Sequence, residues 1–79
     1  MDDIADVIVK IMIEKLEIPA DKISFTAEYE SLELDSLALV QLAVLLEKQY
    51  GVSVEDWEIA AEKTIANTVR LLHDKGVPA

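Results

Sequence analysis

Apolar residues recur at helical spacing near the start of the chain and predict a helix over about residues 3–16. The positions that share one face of this helix are Ile4, Val7, Ile8, Ile11 and Leu16. Pro19 follows them, and proline lacks a backbone donor and clashes with the preceding helical turn. We therefore expect the first helix to end before this proline.

The clearest helical pattern lies in the middle of the chain. Its apolar residues recur at i, i+3, i+4, i+7 and i+11, a stripe suited to a protein core: Leu39, Leu42, Ala43, Leu46 and Tyr50. Asp35 or Ser36 is a suitable N-cap, and Gly51 lies where a left-handed residue ends many helices. A second helix between these caps is predicted.

Two further helices are predicted toward the C-terminus. The run Ser53–Asp56 resembles a capping box that begins a short third helix, although aspartate replaces the preferred Glu or Gln. Thr64 is the expected cap of a fourth helix, which ends before Gly76 and buries one apolar stripe: Ile65, Val69 and Leu72.

Residues 17–35 show no sustained period and predict a long first loop. A loop of this length in a small domain is usually functional or contains a short turn of helix. Phe25 and Tyr29 lie four residues apart and fit one face of such a turn. Together the patterns predict an all-α fold, a four-helix bundle with three long helices, one short helix and a long first loop.

The composition narrows the class of protein. At 79 residues the chain forms one domain, residues 1–79, and its 52% hydrophobic content makes a core without disulfides or metals plausible. The absence of cysteine excludes disulfides and thiolate metal sites. Sixteen acidic against seven basic residues give a net charge of −9, which disfavours nucleic acid and favours partners with basic faces. The same charge also serves solubility.

Two features of the N-terminal segment bear on location. Met1-Asp2-Asp3 lacks the basic start of a signal peptide. The apolar stretch Ile4–Ile13 is interrupted by Asp6 and Lys10 and is too short to span a bilayer. We expect a cytoplasmic monomer that does not enter the membrane. We also expect no dedicated metal site, because no loop has the ligand spacing of one.

The candidate chemistry lies at Asp35-Ser36-Leu37, where a serine opens the second predicted helix. By itself this tripeptide is also explained by Ser36 acting as a helix cap. A second, apolar face of the same helix begins beside it, and is flanked by polar residues: Leu37, Val40 and Val44, with Gln41, Glu47 and Lys48. This face is suited to docking a partner, or alternatively to packing on the third helix or the first loop.

The run from Leu32 to Leu42, continuing to Tyr50, resembles the modification site and second helix of acyl carrier proteins. The resemblance extends over essentially the whole chain. It implies that a phosphopantetheinyl transferase joins the phosphopantetheine of coenzyme A to Ser36, between the motif residues Asp35 and Leu37. The arm would carry acyl intermediates as thioesters to a ketosynthase and to other acyl-processing or acyl-loading enzymes. A serine hydroxyl can form the phosphodiester, and the N-terminal end of a helix favours a phosphate.

The chain departs from this family pattern in two places. Glu33 stands where the family often has glycine, so a different loop geometry is expected there. The second helix of carriers of primary fatty-acid synthesis is lined with acidic residues. At the corresponding positions this chain has neutral Ala38 and Gln41 and basic Lys48, and only Glu47 is acidic. This departure favours a carrier for a polyketide-type or other specialised pathway over one for primary fatty-acid synthesis, and the expected function is to shuttle acyl groups in polyketide or fatty-acid-like biosynthesis.

Other interpretations stay open from the sequence. A peptidyl carrier of a nonribosomal system would have the same fold and serine, and an unmodified helical interaction module would use Ser36 only as a cap. An enzyme is disfavoured, because no base–nucleophile pair or cofactor loop is present; His73 lacks an evident catalytic partner. Trp57 is expected to be a packing residue rather than a gate for an acyl chain.

Overall fold

Four α-helices form the described part of the chain, residues 3–78, in this computed structural model. They are α1 (Asp3–Glu14), α2 (Ser36–Tyr50), α3 (Asp56–Glu62) and α4 (Ile65–Asp74). Two single turns of 3-10 helix, Ala20–Lys22 and Tyr29–Leu32, lie in the long segment between α1 and α2. The predicted all-α bundle with three long helices, one short helix and a long first loop is confirmed. The ends of the predicted domain, residues 1–2 and 79, lie outside the described range.

One core is built from the apolar faces of all four helices. Helices α1, α2 and α4 contribute residues at intervals of three or four, so that they share a face, and the short α3 contributes a single residue. The central buried residues are Ile4, Ile8 and Met12 of α1, Leu42, Ala43 and Leu46 of α2, Ile59 of α3, and Ile65, Val69 and Leu72 of α4. The predicted stripes of the second and fourth helices are thus confirmed, with Leu39 and Tyr50 at the partly buried edge.

Helix α1 ends at Glu14, two residues before the predicted end at Leu16. Glu17 adopts a left-handed conformation with φ 57°. The backbone N–H of Ile18 then donates to the carbonyl of Met12 at 3.0 Å, and Ile18 is buried in the core. The helix therefore stops where the chain turns back to bury Ile18, before Pro19 is reached.

The predicted start of α3 is wrong by two residues. Glu55, not Ser53, is the N-cap, and the carboxylate of Glu58 accepts a hydrogen bond from the Glu55 N–H at 3.0 Å. Val54 is buried, and its N–H donates to the Glu47 carboxylate at 3.2 Å, which keeps this stretch extended. Glu58 also pairs with Lys75 at 2.9 Å. The hydrogen bond from Glu55, followed by Lys75, lowers the pKa of Glu58.

Trp57 was expected to pack, and that prediction is wrong, because 66% of its surface is exposed. The geometry of α3 explains the position. Ile59 is the buried residue of this short helix. Trp57 lies two residues before it and therefore points to the opposite side of the helix.

The long first loop is attached to the start of α4. Glu28 forms an isolated antiparallel bridge with Thr64, and the Tyr29 N–H donates to the Lys63 carbonyl at 2.7 Å. The Tyr29 hydroxyl hydrogen-bonds to the Thr68 hydroxyl inside the protein, and burial raises the pKa of Tyr29 to about 12. Tyr29 is buried whereas Phe25 is 47% exposed, so the two do not share one face of a turn as predicted.

None of the helices within residues 3–78 combines the length and apolar character needed to cross a membrane.

Candidate functional site

Ser36 is the first residue of α2, and its side chain is exposed. The cap of the helix is Asp35, whose Oδ1 accepts a hydrogen bond from the Ala38 N–H at 2.8 Å. The Ser36 hydroxyl takes part in none of the hydrogen bonds formed within residues 3–78. The interpretation of Ser36 as only a helix cap is therefore wrong, and its hydroxyl is accessible for chemistry.

The loop before Ser36 is positioned by residues that point into the core. Leu32 is buried at the end of the second 3-10 turn, and Leu34 donates its N–H to the Tyr29 carbonyl at 3.3 Å. Between them Glu33 adopts a left-handed conformation, φ 59° and ψ 33°. Glycine adopts this conformation without strain, whereas a residue with a Cβ does so at a cost of roughly 1–2 kcal/mol. Glutamate in place of glycine therefore still permits the left-handed turn that leads to Ser36.

The backbone at the start of α2 suits an attached phosphate, whereas the charged side chains nearby are mostly acidic. The first turn of α2 contains no acidic side chain after the cap, and its backbone N–H groups and helix dipole favour a negative charge. A shallow cavity of about 320 Å³ adjoins this end of the helix, with Lys22, Glu17 and Glu33 among its walls beside Asp35 and Ala38. Asp35 supplies a negative charge next to the serine, but one of its oxygens is engaged in the cap. The exposed hydroxyl and the free N–H groups of the helix start therefore fit a phosphodiester on Ser36, while the carboxylates of Glu17, Glu33 and Asp35 oppose its charge and Lys22 offsets part of that repulsion.

The predicted docking face of α2 lies on the surface. The exposed fractions of Leu37, Val40 and Val44 are 69%, 40% and 44%, and Gln41 and Lys48 are also exposed. This face therefore does not pack on α3 or on the first loop, the alternative that the sequence left open. Glu47 differs from the other predicted partner-binding residues. It is half-buried, and its carboxylate accepts the Val54 N–H, which ties it to the loop between α2 and α3.

A further cavity of about 290 Å³ was not predicted from the sequence. It opens between the first loop, α2 and α3, and its walls include Tyr29, Leu34, Leu39, Ala60 and Lys63. Trp57 is not among its lining residues, so the idea of Trp57 as a gate between helices two and three gains no support. Tyr29 and Leu34 lie near Leu39 because the first loop folds back on the helices. The local periodicity of the sequence cannot predict such a contact.

The remaining titratable candidate, His73, makes a structural hydrogen bond. The His73 Nδ1 forms a hydrogen bond with the Val77 carbonyl at 2.9 Å at the end of α4. Within the described residues no cluster of three or more His, Asp or Glu side chains is placed to hold a metal ion.

Comparison with known proteins identifies the family of the chain. Residues 6–72 match the family model described as phosphopantetheine attachment site, which is well over half of the chain. The chain is also 33% identical over 75 residues to the acyl carrier protein of Petrotoga mobilis, and the alignment covers 94% of this chain and 88% of that protein. Proteins of this family carry covalently attached 4′-phosphopantetheine and are carriers rather than catalysts. The chain therefore belongs to the acyl carrier protein family and is not an enzyme.

Proposed function

We propose that Ser36 is the attachment site of 4′-phosphopantetheine and that the chain carries acyl intermediates for a polyketide-type or other specialised synthase. The observation that supports the site is the free, exposed hydroxyl of Ser36 at the first position of α2, beside a cap formed by Asp35 instead. The other serines lack this position. Ser31 donates to the Glu28 carbonyl at 2.7 Å, and Ser24 and Ser53 lie outside the helices.

Each residue of the motif has a separate part in this proposal. Asp35 holds the Ala38 N–H and thereby fixes the first turn of α2, which orients the Ser36 hydroxyl outward. The first-turn N–H groups would stabilise the phosphate once it is attached. Leu37 lies beside the serine with most of its side chain in solvent, where a transferase can contact it. When bound, the phosphopantetheine arm supplies the thiol on which cargo is held.

The character of α2 supports a specialised pathway. Acyl carrier proteins in general interact with a phosphopantetheinyl transferase and with acyl-processing enzymes. In this chain the outer face of α2 is apolar and carries neutral Gln41 and basic Lys48 rather than a line of acids. We expect partners such as a ketosynthase to recognise this surface through Leu37, Val40 and Val44 more than through charge. A cytoplasmic location and a single-domain carrier of residues 1–79 stay predictions.

The attachment site is tested by intact-mass measurement. The protein is incubated with coenzyme A and a broad-specificity phosphopantetheinyl transferase, and we expect a mass gain of one phosphopantetheine. The gain should disappear in Ser36→Ala and persist in the matched controls Ser31→Ala and Ser53→Ala. Persistence in Ser36→Ala, or no gain with several transferases, would contradict the proposal.

The pathway is tested by loading and elongation. We expect the modified chain to accept malonyl rather than aminoacyl groups from the corresponding loading enzymes. Preferential aminoacyl loading would instead identify a peptidyl carrier. We also expect a primary fatty-acid synthase to elongate its acyl groups more slowly than those on the synthase's own carrier, and equal rates would rule out the specialised assignment.

A further inference from the structure

A shallow groove follows the seam between α1 and α2. It consists of two adjoining depressions of about 280 Å³ and 380 Å³ that share Lys15 and Leu45. Apolar side chains from both helices form its floor: Val7, Ile11, Val40, Val44 and Leu45. The two valines of α2 are exposed, so no element within residues 3–78 covers this apolar surface.

The charges along the α1/α2 groove differ from those of the whole protein. The chain has sixteen acidic and seven basic residues, whereas the charged residues that line the groove are Lys10, Lys15 and Glu14. Within residues 3–78 the one ion pair joins Lys75 to Glu58, so neither groove lysine is neutralised by an ion pair. The groove is therefore a locally basic strip on a protein of net charge −9.

The α1/α2 groove leads to the carrier serine. Val7 lines it together with Gln49, and Lys15 together with Val40, so the two helices run antiparallel along it. Val40 lies four residues after Ser36, a separation of about 6 Å along a helix. An occupant of the groove would consequently lie within reach of any group attached at Ser36.

We infer that the α1/α2 groove docks an amphipathic helix of an enzyme partner, with apolar side chains on the groove floor and acidic side chains facing Lys10 and Lys15. Charge complementarity selects this occupant. A second copy of the chain, also at −9, would be repelled over most of its surface. An anionic membrane or a nucleic acid extends its negative charge beyond the groove and is repelled in the same way, whereas a single acidic helix meets only the groove and its two lysines. This inference rests on the proposed carrier function, and it adds α1 to the docking surface.

The groove is tested with two synthetic helical peptides and the full ¹⁵N-labelled chain. Both peptides have apolar residues at i, i+3, i+4 and i+7, and they differ only in flanking glutamates or flanking lysines. We expect the glutamate peptide to bind about tenfold more tightly than the lysine peptide. Its glutamates have the opposite charge to Lys10 and Lys15, whereas the lysines of the other peptide have the same charge and are repelled. Its binding should shift amide resonances of residues 7–15 and 40–49, and salt should weaken it.

A charge reversal locates the contact. Lys15→Glu should weaken binding of the glutamate peptide by about two- to fivefold, the range typical of an exposed ion pair. Arg70→Glu is the matched control, because it changes the net charge equally at an exposed position of α4 outside the groove, and it should leave that affinity nearly unchanged.

Three results would overturn the docking inference. In the first, the two peptides bind with equal affinity or do not bind. In the second, the peptide shifts amide resonances only outside the groove. In the third, Lys15→Glu and Arg70→Glu change the affinity for the glutamate peptide equally. Self-association in sedimentation velocity that Lys15→Glu abolishes would assign the groove to a second copy instead.

The mass gain at Ser36 of the unmutated chain is measured separately. If it occurs while the peptides fail, the docking inference alone is wrong; if it is absent, the carrier proposal fails.

Discussion

Helix α2 places similar aliphatic residues in opposite environments on its two faces. Leu42 and Leu46 are completely buried, whereas Leu37 and Val44, on the other face, are 69% and 44% exposed. The inner residues bury apolar area against α1 and α3 and so stabilise the fold. The outer residues gain little from folding, and an exposed apolar strip of this kind is typical of a binding surface. The same helix thus supplies the core with one face and partners with the other.

The largest expected effect comes from shortening a side chain on the inner face. Leu46→Ala removes fully buried atoms and leaves a cavity, so the free energy of unfolding should fall by about 2–5 kcal/mol. Val44→Ala is the matched control on the outer face and should change it by less than about 0.5 kcal/mol. Urea denaturation of both variants measures the difference. Equal losses would mean that the two faces do not differ in their contribution to folding.

The next largest effect concerns Tyr29, which extends the comparison to a buried position in the loop. Near pH 8, Tyr29→Phe should lower the free energy of unfolding by about 1 kcal/mol, because the hydrogen bond to Thr68 is lost. The pKa of Tyr29 is raised to about 12 in the folded protein, from 10.0. Its stabilising contribution is therefore complete below pH 10 and is lost as the pH rises toward 12.

By about pH 11.5 the unmutated chain should lose roughly 2 kcal/mol through this group. Tyr29→Phe has no such loss, so it should become the more stable of the two proteins at that pH. Urea unfolding near pH 8 and at about pH 11.5 shows which of the two proteins has the larger free energy of unfolding at each pH. An unchanged sign would show that the Tyr29 hydroxyl is less deeply buried than the structure shows.

A smaller effect is expected at Asp35, where both faces of α2 begin. Asp35→Ala removes the acceptor for the Ala38 N–H and should cost about 1 kcal/mol in thermal or urea unfolding. Asp35→Asn retains an acceptor and should be nearly as stable as the unmutated chain. If Asn is as damaging as Ala, the negative charge rather than the cap contributes the stability.

The smallest effect is expected at Trp57, which belongs with the outer surface. Trp57→Gln should change the free energy of unfolding by less than about 0.5 kcal/mol, against the 3–5 kcal/mol typical of a buried large aromatic residue. Trp57 is the only tryptophan, so its fluorescence in the folded chain should already be typical of a solvated indole. A blue-shifted emission in the isolated protein would contradict its exposure.

Periodicity predicted the helices well because most of their stability comes from one continuous apolar face. The stripe Leu42, Ala43 and Leu46 and the cap Thr64 needed no knowledge of tertiary structure, since both depend on neighbours three or four residues away. The serine at the head of α2 was found in the same way, from a local motif in front of a strong helix.

The errors arose where distant contacts decide the local structure. Ser53 has the chemistry of a cap, yet α3 begins later because Val54 is buried and bonded to Glu47. Trp57 was assigned to the core by residue type, whereas the register of the short α3 is set by Ile59. The cavity beside Leu39 and the groove beside Lys15 both combine segments that are far apart in sequence.

The attachment of the first loop to α4 has a consequence for how the bundle opens. The Ala66 N–H donates to the Phe25 carbonyl at 3.0 Å, and the Tyr29 N–H donates to the Lys63 carbonyl. Detaching the loop breaks both bonds together, so these two amides should exchange with deuterium in one cooperative event. Any widening of the bundle that displaces this loop must also release the first turn of α4.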